Sequence, residues 1–243
     1  MSASTAIEIQ QVSKTFGKKV VLNQLNYKIQ EGRIYGFIGP SGSGKTTLIK
    51  LMVGMDTPNQ GAVTLLGVKM PNLPILQKVG YMAQSDALYT ALTGKENLEF
   101  FASIFQLSKS EKKERITYAA KLVNLTDDLN KKVSAYSGGM KRRLSLAIAI
   151  LQNPQVIILD EPTVGMDPSL RVSIWNELLR LKKDEGKTII VTTHVMDEAE
   201  HCDEIAMLRD GKFIATGSPA QLKTKYGVNN LNDVFIKAGG EFQ

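Results

Sequence analysis

The stretch Arg33-Ile-Tyr-Gly-Phe-Ile-Gly-Pro-Ser-Gly-Ser-Gly-Lys-Thr46 joins a short apolar segment to a glycine-rich turn. Its second half fits the pattern G-x-x-x-x-G-K-[ST], and residues 47–53 after it have the pattern of a helix. Glycines let consecutive backbone N–H groups turn toward an anion, and the N-terminus of the following helix adds its positive end. The stretch therefore predicts a phosphate-binding loop between a strand and a helix. The alternative is a glycine-rich turn with an incidental lysine, which the flanking strand and helix argue against.

The predicted phosphate loop assigns roles to particular side chains. Lys45 should reach the β- and γ-phosphates of a nucleotide, and Thr46 should offer its hydroxyl to Mg²⁺. The candidate nucleotide-binding residues of this loop are Gly39, Pro40, Ser41, Gly42, Ser43, Gly44, Lys45, Thr46 and Thr47.

A second candidate site follows the apolar stretch Val156-Ile-Ile-Leu159, which ends in Asp160-Glu161. Paired carboxylates at the end of a buried strand are costly unless a cation or a reaction uses them. Asp160 is placed to hold Mg²⁺, directly or through water, and Glu161 is the candidate to orient and deprotonate an attacking water. Without the phosphate loop, two solvated acids at the start of a loop would be the simpler interpretation.

The sequence favours ATP over GTP as the nucleotide. Proteins with this loop that are specific for guanine usually read the base with an [NT]-K-x-D stretch, and the chain contains neither that stretch nor a D-x-x-G motif.

Composition bounds the class of protein. The chain has 243 residues, a formal net charge of +6, 43% hydrophobic and 22% charged residues, which is the balance of a folded domain. No apolar run approaches the roughly 20 residues that cross a bilayer, and no signal peptide is visible. The single cysteine, Cys202, excludes an internal disulfide and suits a reducing cytosol. We therefore expect any membrane role to come through a partner chain.

Hydrophobic periodicity predicts an α/β fold. Strand patterns occur near residues 7–12, 20–29, 33–38, 62–66, 78–83, 155–159 and 187–192. From about Asp86 to Asn153 they stop, and Thr93-Gly-Lys-Glu96 within this stretch matches a capping box. Asp167-Pro168 predicts the start of a later helix, and Asp210-Gly211 predicts a hairpin. This order indicates a largely parallel sheet with a helical subdomain inserted at about 85–154.

The stretch Tyr136-Ser-Gly-Gly-Met140 is similar to the L-S-G-G-Q signature of ATP-binding cassette (ABC) nucleotide-binding domains. The resemblance covers nearly the whole chain, with every motif in the family's order. It implies a P-loop ATPase core with a mixed, largely parallel sheet and an N-terminal antiparallel β part, formed by residues 1–84 and 155–220. It also implies the helical subdomain at 85–154 and a C-terminal tail at 221–243.

The resemblance implies roles for residues outside the phosphate loop. Phe16 would stack on adenine, Gln84 would sense Mg²⁺ and contact the partner, and His194 would contact the γ-phosphate beside Lys45. Ser137, Gly138 and Gly139 would cover the ATP held by a second copy, and residues 165–167 would contact that copy. Taken alone, Phe16 would be a core side chain, Gln84 a solvated residue and His194 a structural histidine.

Three positions depart from the commonest family pattern: Tyr136 replaces Leu, Met140 replaces Gln, and Phe16 replaces Tyr. The Met form and the ending Asn232-Asp-Val-Phe-Ile-Lys237 resemble the branch partnered with ABC-2-type exporters.

Charge near the signature offers a physical argument for an anion site. If Ser137 is the N-cap of the next helix, Lys141, Arg142 and Arg143 lie near its first turn and oppose the helix dipole by about 0.3–1 kcal/mol each. A bound anion would offset that cost. The alternative is a solvated basic cluster.

The resemblance implies an ATPase that uses ATP and Mg²⁺. It would act as a homodimer with a separate transmembrane permease subunit and would not bind nucleic acid. Such a chain would be cytoplasmic, on the inner face of the membrane. A soluble ABC ATPase acting on DNA or ribosomes, without a membrane partner, is the alternative. Chromosome-type relatives need a very long coiled coil between the two motifs, and ribosome-acting ones usually carry two cassettes. A small-molecule P-loop kinase is a third possibility, which residues 136–140 argue against.

The helix after Thr93 predicts where the membrane subunit binds. Its Leu98 and Phe101 lie on one face, whereas Phe100 and Ile104 lie on another. A second apolar face stays at the surface unless something covers it, so residues 88–105 would line a groove for a short helix of the permease. The alternative is that both faces are buried within the domain.

Overall fold

The computed structural model describes residues 4–84 and 87–240 of the chain. The strands within these ranges are β1 (Thr5–Phe16), β2 (Lys19–Gln30), β3 (Ile34–Ile38), β4 (Gln60–Leu65), β5 (Val68–Lys69), β6 (Val79–Met82), β7 (Val156–Asp160), β8 (Thr188–Thr193), β9 (Glu204–Arg209) and β10 (Lys212–Gly217). The helices are α1 (Lys45–Met52), α2 (Gly94–Ile104), α3 (Lys109–Leu122), α4 (Gly138–Ile150), α5 (Pro168–Glu185), α6 (Met196–Ala199), α7 (Pro219–Tyr226) and α8 (Leu231–Ala238). Short 3₁₀ turns cover Pro74–Lys78, Thr126–Asp128 and Val133–Ala135.

The chain forms two compact units. Met1–Ile75 together with Thr188–Gln243 forms the first, which we call the phosphate-loop unit, and Leu76–Lys187 forms the second, which we call the signature unit. The narrower helical subdomain expected at 85–154 stays a prediction. Its first two residues, Ser85 and Asp86, lie outside the described residues, as do the chain ends at 1–3 and 241–243.

The strands of the phosphate-loop unit form two hydrogen-bonded sets. The first is antiparallel, with strand order β2-β1-β4-β5, which confirms the N-terminal antiparallel part. In the second, β9, β3 and β8 run parallel and β10 pairs antiparallel with β9. Strands β3 and β8 are buried at every position, which is why neither sequence alternates between apolar and charged residues. Because Ile38 pairs with both Thr193 and Met207, the residues that follow β3 and β8 emerge at the same edge.

Strand boundaries differ from the predicted ones mainly in β1 and β2. Both strands run for 12 residues, longer than the patterns at 7–12 and 20–29. Gln11 and Gln24 have φ values of 50° and 49°, and the register shifts beside Val12. Such bulges move later side chains to the other face, so the alternation breaks although the strand continues.

The Asp210-Gly211 hairpin is confirmed. Arg209 pairs with Lys212 across the turn, and the two turn residues have φ values of 48° and 71°. Positive φ at both positions is the requirement of a type I′ turn, which explains the Asp-Gly sequence.

The signature unit combines a parallel strand pair with helices. Strands β6 and β7 pair in register from Val79–Val156 to Met82–Leu159. Described residues 87–153 contain no strand, only an isolated bridge between Thr93 and Lys132. The capping box is confirmed, since Glu96 N–H donates to Thr93 Oγ1 at 3.1 Å and Thr93 N–H donates to Glu96 Oε2 at 2.7 Å.

Helices α3 and α4 cap each other's C-termini through arginines. Arg115 of α3 donates to Ile150 O at 2.6 Å and to Leu151 O at 3.0 Å, where α4 ends. Arg143 of α4 donates to the carbonyl oxygens of residues 123 and 124, where α3 ends, at 3.2 and 2.7 Å. Since the last carbonyls of a helix lack intrahelical donors, each arginine satisfies groups that the other helix cannot satisfy itself.

The single cysteine, Cys202, is 5% exposed and lies under Gly36 of β3. Among the described helices, none has the length and apolar character needed to traverse a bilayer.

Candidate functional site

The phosphate loop connects β3 to α1 as predicted. The Lys45 side chain is 6% exposed, and its Nζ donates to Gly39 O at 2.8 Å and to Pro40 O at 3.1 Å. Gly44, the N-cap of α1, has a backbone φ of 109°, a value that residues with a Cβ rarely adopt. A Cβ at Gly44 would also lie 2.7 Å from Leu22 Cδ2, so this position requires glycine.

Two buried polar groups in this loop indicate an anion. Ser43 is 5% exposed, and its Oγ is buried without a hydrogen-bond partner. The Lys45 ammonium is buried in the same turn. Buried hydroxyls and charges are costly unless they are paired, and phosphate oxygens would accept hydrogen bonds from both. The loop therefore fits a polyphosphate.

Phe16 ends β1 and is 51% exposed. Lys14 Nζ lies 5.0 Å from the centre of its ring. Strand β2, which pairs with β1, packs against the phosphate loop through the contact of Leu22 with Gly44. A half-exposed ring on a hairpin beside the loop suits stacking with a base.

His194 follows β8, at the sheet edge where β3 leads into the phosphate loop. The backbone beside it is fixed by a buried acid that sequence reasoning missed. Thr193 Oγ1 donates to Glu198 Oε2 at 2.8 Å and accepts from Val195 N–H at 3.0 Å, and Glu198 is only 3% exposed. The spacing of Thr193 and Glu198 across the start of α6 was the available signal.

Asp160 ends β7 in the signature unit, and Glu161 follows it. Asp160 is 0% exposed, whereas Glu161 is partly exposed and has φ 53°. The pKa of the neighbouring Tyr81 hydroxyl is raised to about 12, mainly by burial and also by Asp160, while Arg142 opposes the shift. The Tyr81 hydroxyl beside Asp160 therefore stays protonated.

The buried carboxylate of Asp160 suits a Mg²⁺ ion that arrives together with a nucleotide. In the described part of the chain, no group of three His, Cys, Asp or Glu side chains could hold a metal by itself. Mg²⁺ is usually bound through one or two carboxylates together with phosphate oxygens and water. Asp160 is a buried carboxylate of that kind, while the predicted roles of Gln84 in the same unit and of Thr46 in the phosphate-loop unit stay predictions.

The signature begins α4. Ser137 is the N-cap, and its Oγ accepts from Met140 N–H at 3.2 Å. Ser137 and Gly138 are exposed, the first turn has no acidic residue, and a Cβ at Gly138 would meet nothing within 4 Å. The next glycine, Gly139, approaches the backbone of Gly165, 3.2 Å from its would-be Cβ. The positive end of α4 is thus open to an external anion.

Tyr136 has a structural reason for its departure from the family pattern. The side chain is 5% exposed, and its hydroxyl donates to Asp128 O at 2.8 Å. The ring thus anchors the segment before α4 and leaves Ser137 outside.

The structure corrects the argument from the basic cluster. Arg142 is 7% exposed and donates to the carbonyl oxygens of residues 83, 84, 160 and 161, while Arg143 caps α3. Both arginines satisfy backbone carbonyls, so their charges do not require an anion at Ser137. Arg142 lies four residues before the buried Leu146, and this helical spacing could have identified it as a core residue.

The predicted site residues fall into two groups. Phe16, the phosphate loop and His194 belong to the phosphate-loop unit, whereas Gln84, Asp160, Glu161 and the signature belong to the other. Within the signature unit, Gln84 and Glu161 share a partner in Arg142. Asp167 is confirmed as the N-cap of α5, since Leu170 N–H donates to its Oδ1 at 2.9 Å.

Comparison with known proteins identifies the family. The model of the ABC transporter family matches residues 22–164, more than half of the chain. The chain therefore belongs to the ABC transporter family, as an ATP-binding and ATP-hydrolysing domain.

Particular relatives agree with this assignment. The chain is 40% identical over 221 residues to Nod factor export ATP-binding protein I of Rhizobium etli, covering 90% of this chain and 70% of that protein. It is 39% identical over 241 residues to ABC transporter G family member 23 of Dictyostelium discoideum, covering 98% of this chain but 34% of that protein.

Solved structures share the fold. An ATP-binding subunit of an ABC transporter superposes with a TM-score of 0.89 at 27% identity, covering 97% of this chain and all of the other. A dimeric ATP-binding cassette in a post-hydrolysis state with ADP and Pi superposes with a TM-score of 0.81 at 30% identity, covering 87% of this chain and 98% of the other.

Proposed function

We propose that this chain is the ATPase subunit of an exporter, in which two copies close around two ATP molecules and drive a separate transmembrane subunit. The observation that carries the proposal is the exposed N-terminus of α4, where Ser137 and Gly138 face outward with no acid in the first turn. A helix terminus of this kind is suited to the phosphates of an ATP held by a second copy. Each copy has one phosphate loop and one signature, so an isologous pair has two equivalent sites.

Nucleotide binding is assigned to the phosphate-loop unit. Phe16 stacks on adenine, the backbone N–H groups of residues 39–47 surround the phosphates, and Lys45 pairs with the β- and γ-phosphates. Thr46, Gln84 and Asp160 hold Mg²⁺, which neutralises phosphate charge when it is bound.

Hydrolysis is assigned to Glu161, His194 and Lys45. Glu161 accepts a proton from water as the water oxygen attacks the γ-phosphorus, and the bond from the γ-phosphorus to the bridging oxygen of ADP breaks. Lys45 and His194 stabilise negative charge on the transferred phosphoryl group. The left-handed backbone at Glu161 supports this role, since strained residues concentrate at active sites.

The permease is assigned to an aromatic patch on α2 and the segment before it, formed by Tyr89, Phe100, Phe101, Ile104 and Phe105. Tyr89, Phe100 and Ile104 are 49%, 38% and 51% exposed, so a second apolar face lies at the surface of this chain. Tyr89 and Phe100 stack edge to face with ring centres 4.7 Å apart. A short amphipathic helix of the transmembrane subunit would cover this patch, which places the chain at the inner face of the membrane.

Export is the direction supported by the relatives. The similar rhizobial protein is named for export of Nod factor. The substrate itself is chosen by the membrane subunit, because the ATPase does not enclose the cargo.

Glu161→Gln tests the proposal. The variant should bind ATP, hydrolyse it about 10²–10⁴-fold more slowly because it lacks the general base, and accumulate as a closed dimer. Size-exclusion chromatography with and without ATP measures the dimer, and phosphate release measures turnover. Glu114→Gln, at an exposed position of α3, is the matched control and should behave as wild type. Wild-type turnover by Glu161→Gln, or no ATP-dependent dimer, would contradict the proposal.

A further inference from the structure

The Arg142 side chain donates to four backbone carbonyl oxygens of the signature unit. Its Nη1 donates to Ala83 O at 2.7 Å and to Gln84 O at 2.9 Å. Its Nη2 donates to Glu161 O at 2.8 Å and also to Asp160 O. At 7% exposure, this guanidinium is bound by protein and not by solvent.

The four acceptors come from two different segments. Ala83 and Gln84 follow β6, whereas Asp160 ends β7 and Glu161 follows it. These strands are parallel neighbours, with Met82 paired to Leu159, so both segments leave the sheet at the same edge. Because one guanidinium binds both, a displacement of the Gln84 backbone changes the donors available to the Glu161 backbone.

Glu161 needs an external constraint more than its neighbours do. Its φ of 53° lies in the left-handed region, which is unfavourable for a residue with a Cβ. Such a conformation persists only where surrounding contacts fix it. The hydrogen bond from Arg142 Nη2 to the Glu161 carbonyl is a contact of this kind.

We propose that Arg142 is a positioning residue: it holds the Glu161 backbone in its left-handed conformation and links it to Gln84. The inference rests on the proposed role of Glu161 as the base. When the transmembrane subunit binds and displaces the Gln84 backbone, the displacement is then transmitted to Glu161 through the Arg142 side chain.

Arginine is the residue type that this geometry requires. Its planar fork presents two nitrogens in fixed directions, so that each can serve one segment. A lysine in its place keeps the charge but has one nitrogen, which cannot serve two strand ends in the same way. Arg143 is the matched comparison, because it lies on the same helix and also donates to backbone carbonyls, but at the end of α3.

The test compares Arg142→Met, Arg142→Lys and Arg143→Met by steady-state ATPase kinetics. For both Arg142 variants we expect kcat to fall at least about tenfold with KM for ATP within about threefold, since misplacing a base by 1 Å costs about 10²-fold. Arg143→Met should keep kcat within about threefold of wild type, because its acceptors are the carbonyl oxygens of residues 123 and 124 and not those of Gln84 or Glu161. If Arg142→Met does not fold, the kcat of Arg142→Lys alone tests the proposal. Equal kcat for the Arg142 and Arg143 variants would overturn the proposal.

A double variant separates this inference from the proposed function. If Arg142 acts through Glu161, Arg142→Lys should slow single-turnover hydrolysis of the Glu161→Gln protein by less than about twofold. If the double variant is slower than Glu161→Gln by the full factor of Arg142→Lys, the positioning role is overturned while Glu161 keeps its role. If Glu161→Gln alone turns over like wild type, the proposed function fails and this inference fails with it.

Discussion

At the scale of single residues, the buried ammonium of Lys45 determines how the phosphate loop responds to nucleotide. In the described structure its Nζ binds the carbonyl oxygens of Gly39 and Pro40, which a phosphate would replace as the stronger partner. The same loop holds the partnerless hydroxyl of Ser43. Both groups are therefore expected to change partners when ATP binds.

Lys45→Ala should abolish most of the stabilisation that ATP gives. The expected effect on wild type is about 2.7 kcal/mol at an ATP concentration of 100 Kd, and the variant should show little of it because its affinity is lower. Differential scanning fluorimetry with and without ATP measures the shift in Tm. Lys50→Ala, an exposed lysine of the same helix, is the control and should keep the full shift. Equal shifts in both variants would remove Lys45 from the binding site.

Single residues also show where sequence reasoning reaches its limit. Asp167 as an N-cap and the Thr93 capping box could be predicted because their partners lie three residues away in sequence. The hydrogen-bond partners of Arg142 could not, because they lie 18 or more positions away and are backbone carbonyls, which no residue type marks. The burial of Glu198 was missed although its partner Thr193 lies only five positions away, because a carboxylate in the first turn of a helix is usually solvated.

At the scale of elements, α3 and α4 depend on each other through their arginine caps. Arg115 is partly buried, stacks over the Tyr118 ring at 4.8 Å, and supplies two donors to the end of α4. Neither helix end contains a glycine cap, since Val123 and Leu151 stand at the C-cap positions. Each helix therefore ends properly only when the other is folded.

Arg115→Met should destabilise this helix pair. Loss of two charge-assisted hydrogen bonds to carbonyls should lower the free energy of unfolding by about 1.5–3 kcal/mol. For a domain of this size, the Tm should fall by about 3–10 °C. Urea denaturation followed by circular dichroism measures the change, with Lys113→Met on the exposed side of α3 as control. A loss no greater than that of Lys113→Met would show that the caps add nothing.

The aromatic patch of α2 is the element proposed to receive the permease. Ile104→Glu should leave ATP hydrolysis by the isolated chain within about twofold, because surface substitutions rarely change stability by more than 0.5 kcal/mol. Assembly with the transmembrane subunit, measured by co-purification in detergent, should be lost because a charge would be desolvated in an apolar contact. Leu73→Glu places the same charge at an 82% exposed leucine elsewhere and should assemble normally. Normal assembly by Ile104→Glu would move the contact to another surface.

At the scale of the whole molecule, the predicted site residues are divided between the two units. The phosphate loop, with the buried hydroxyl of Ser43, belongs to one unit, and the signature, with the exposed N-terminus of α4, belongs to the other. The fold class could be predicted because apolar runs and turns are local properties. The extent of each unit could not, because it depends on contacts between residues far apart in sequence, such as the pairing of β3 with β8.

Combinations of two variants test the composite sites of the proposed dimer. Gly138→Asp adds a carboxylate where a Cβ meets no neighbour, so the chain should fold and its isolated form should bind ATP normally. One subunit with Gly138→Asp paired with one with Lys45→Ala leaves one intact site and should retain ATPase activity. One wild-type subunit paired with one that carries both changes leaves no intact site and should lose at least about tenfold more, since like charges repel the γ-phosphate.

Dimers of defined composition, purified through two different tags, allow that comparison by phosphate release. Gly138→Ala is the steric control, since it adds the Cβ without the charge. Higher activity of the dimer that contains one wild-type subunit would mean that the signature acts within its own chain.

The buried position of Cys202 has a practical consequence for measuring how two copies of the chain approach each other. Because the only sulfhydryl of the chain is 5% exposed, maleimide dyes should leave the natural protein almost unlabelled. A cysteine introduced at Leu73, which is 82% exposed, would then be the single labelled position without any prior removal of native thiols. Donor and acceptor fluorophores on two such copies would report the approach of the subunits by energy transfer, one ATP cycle at a time.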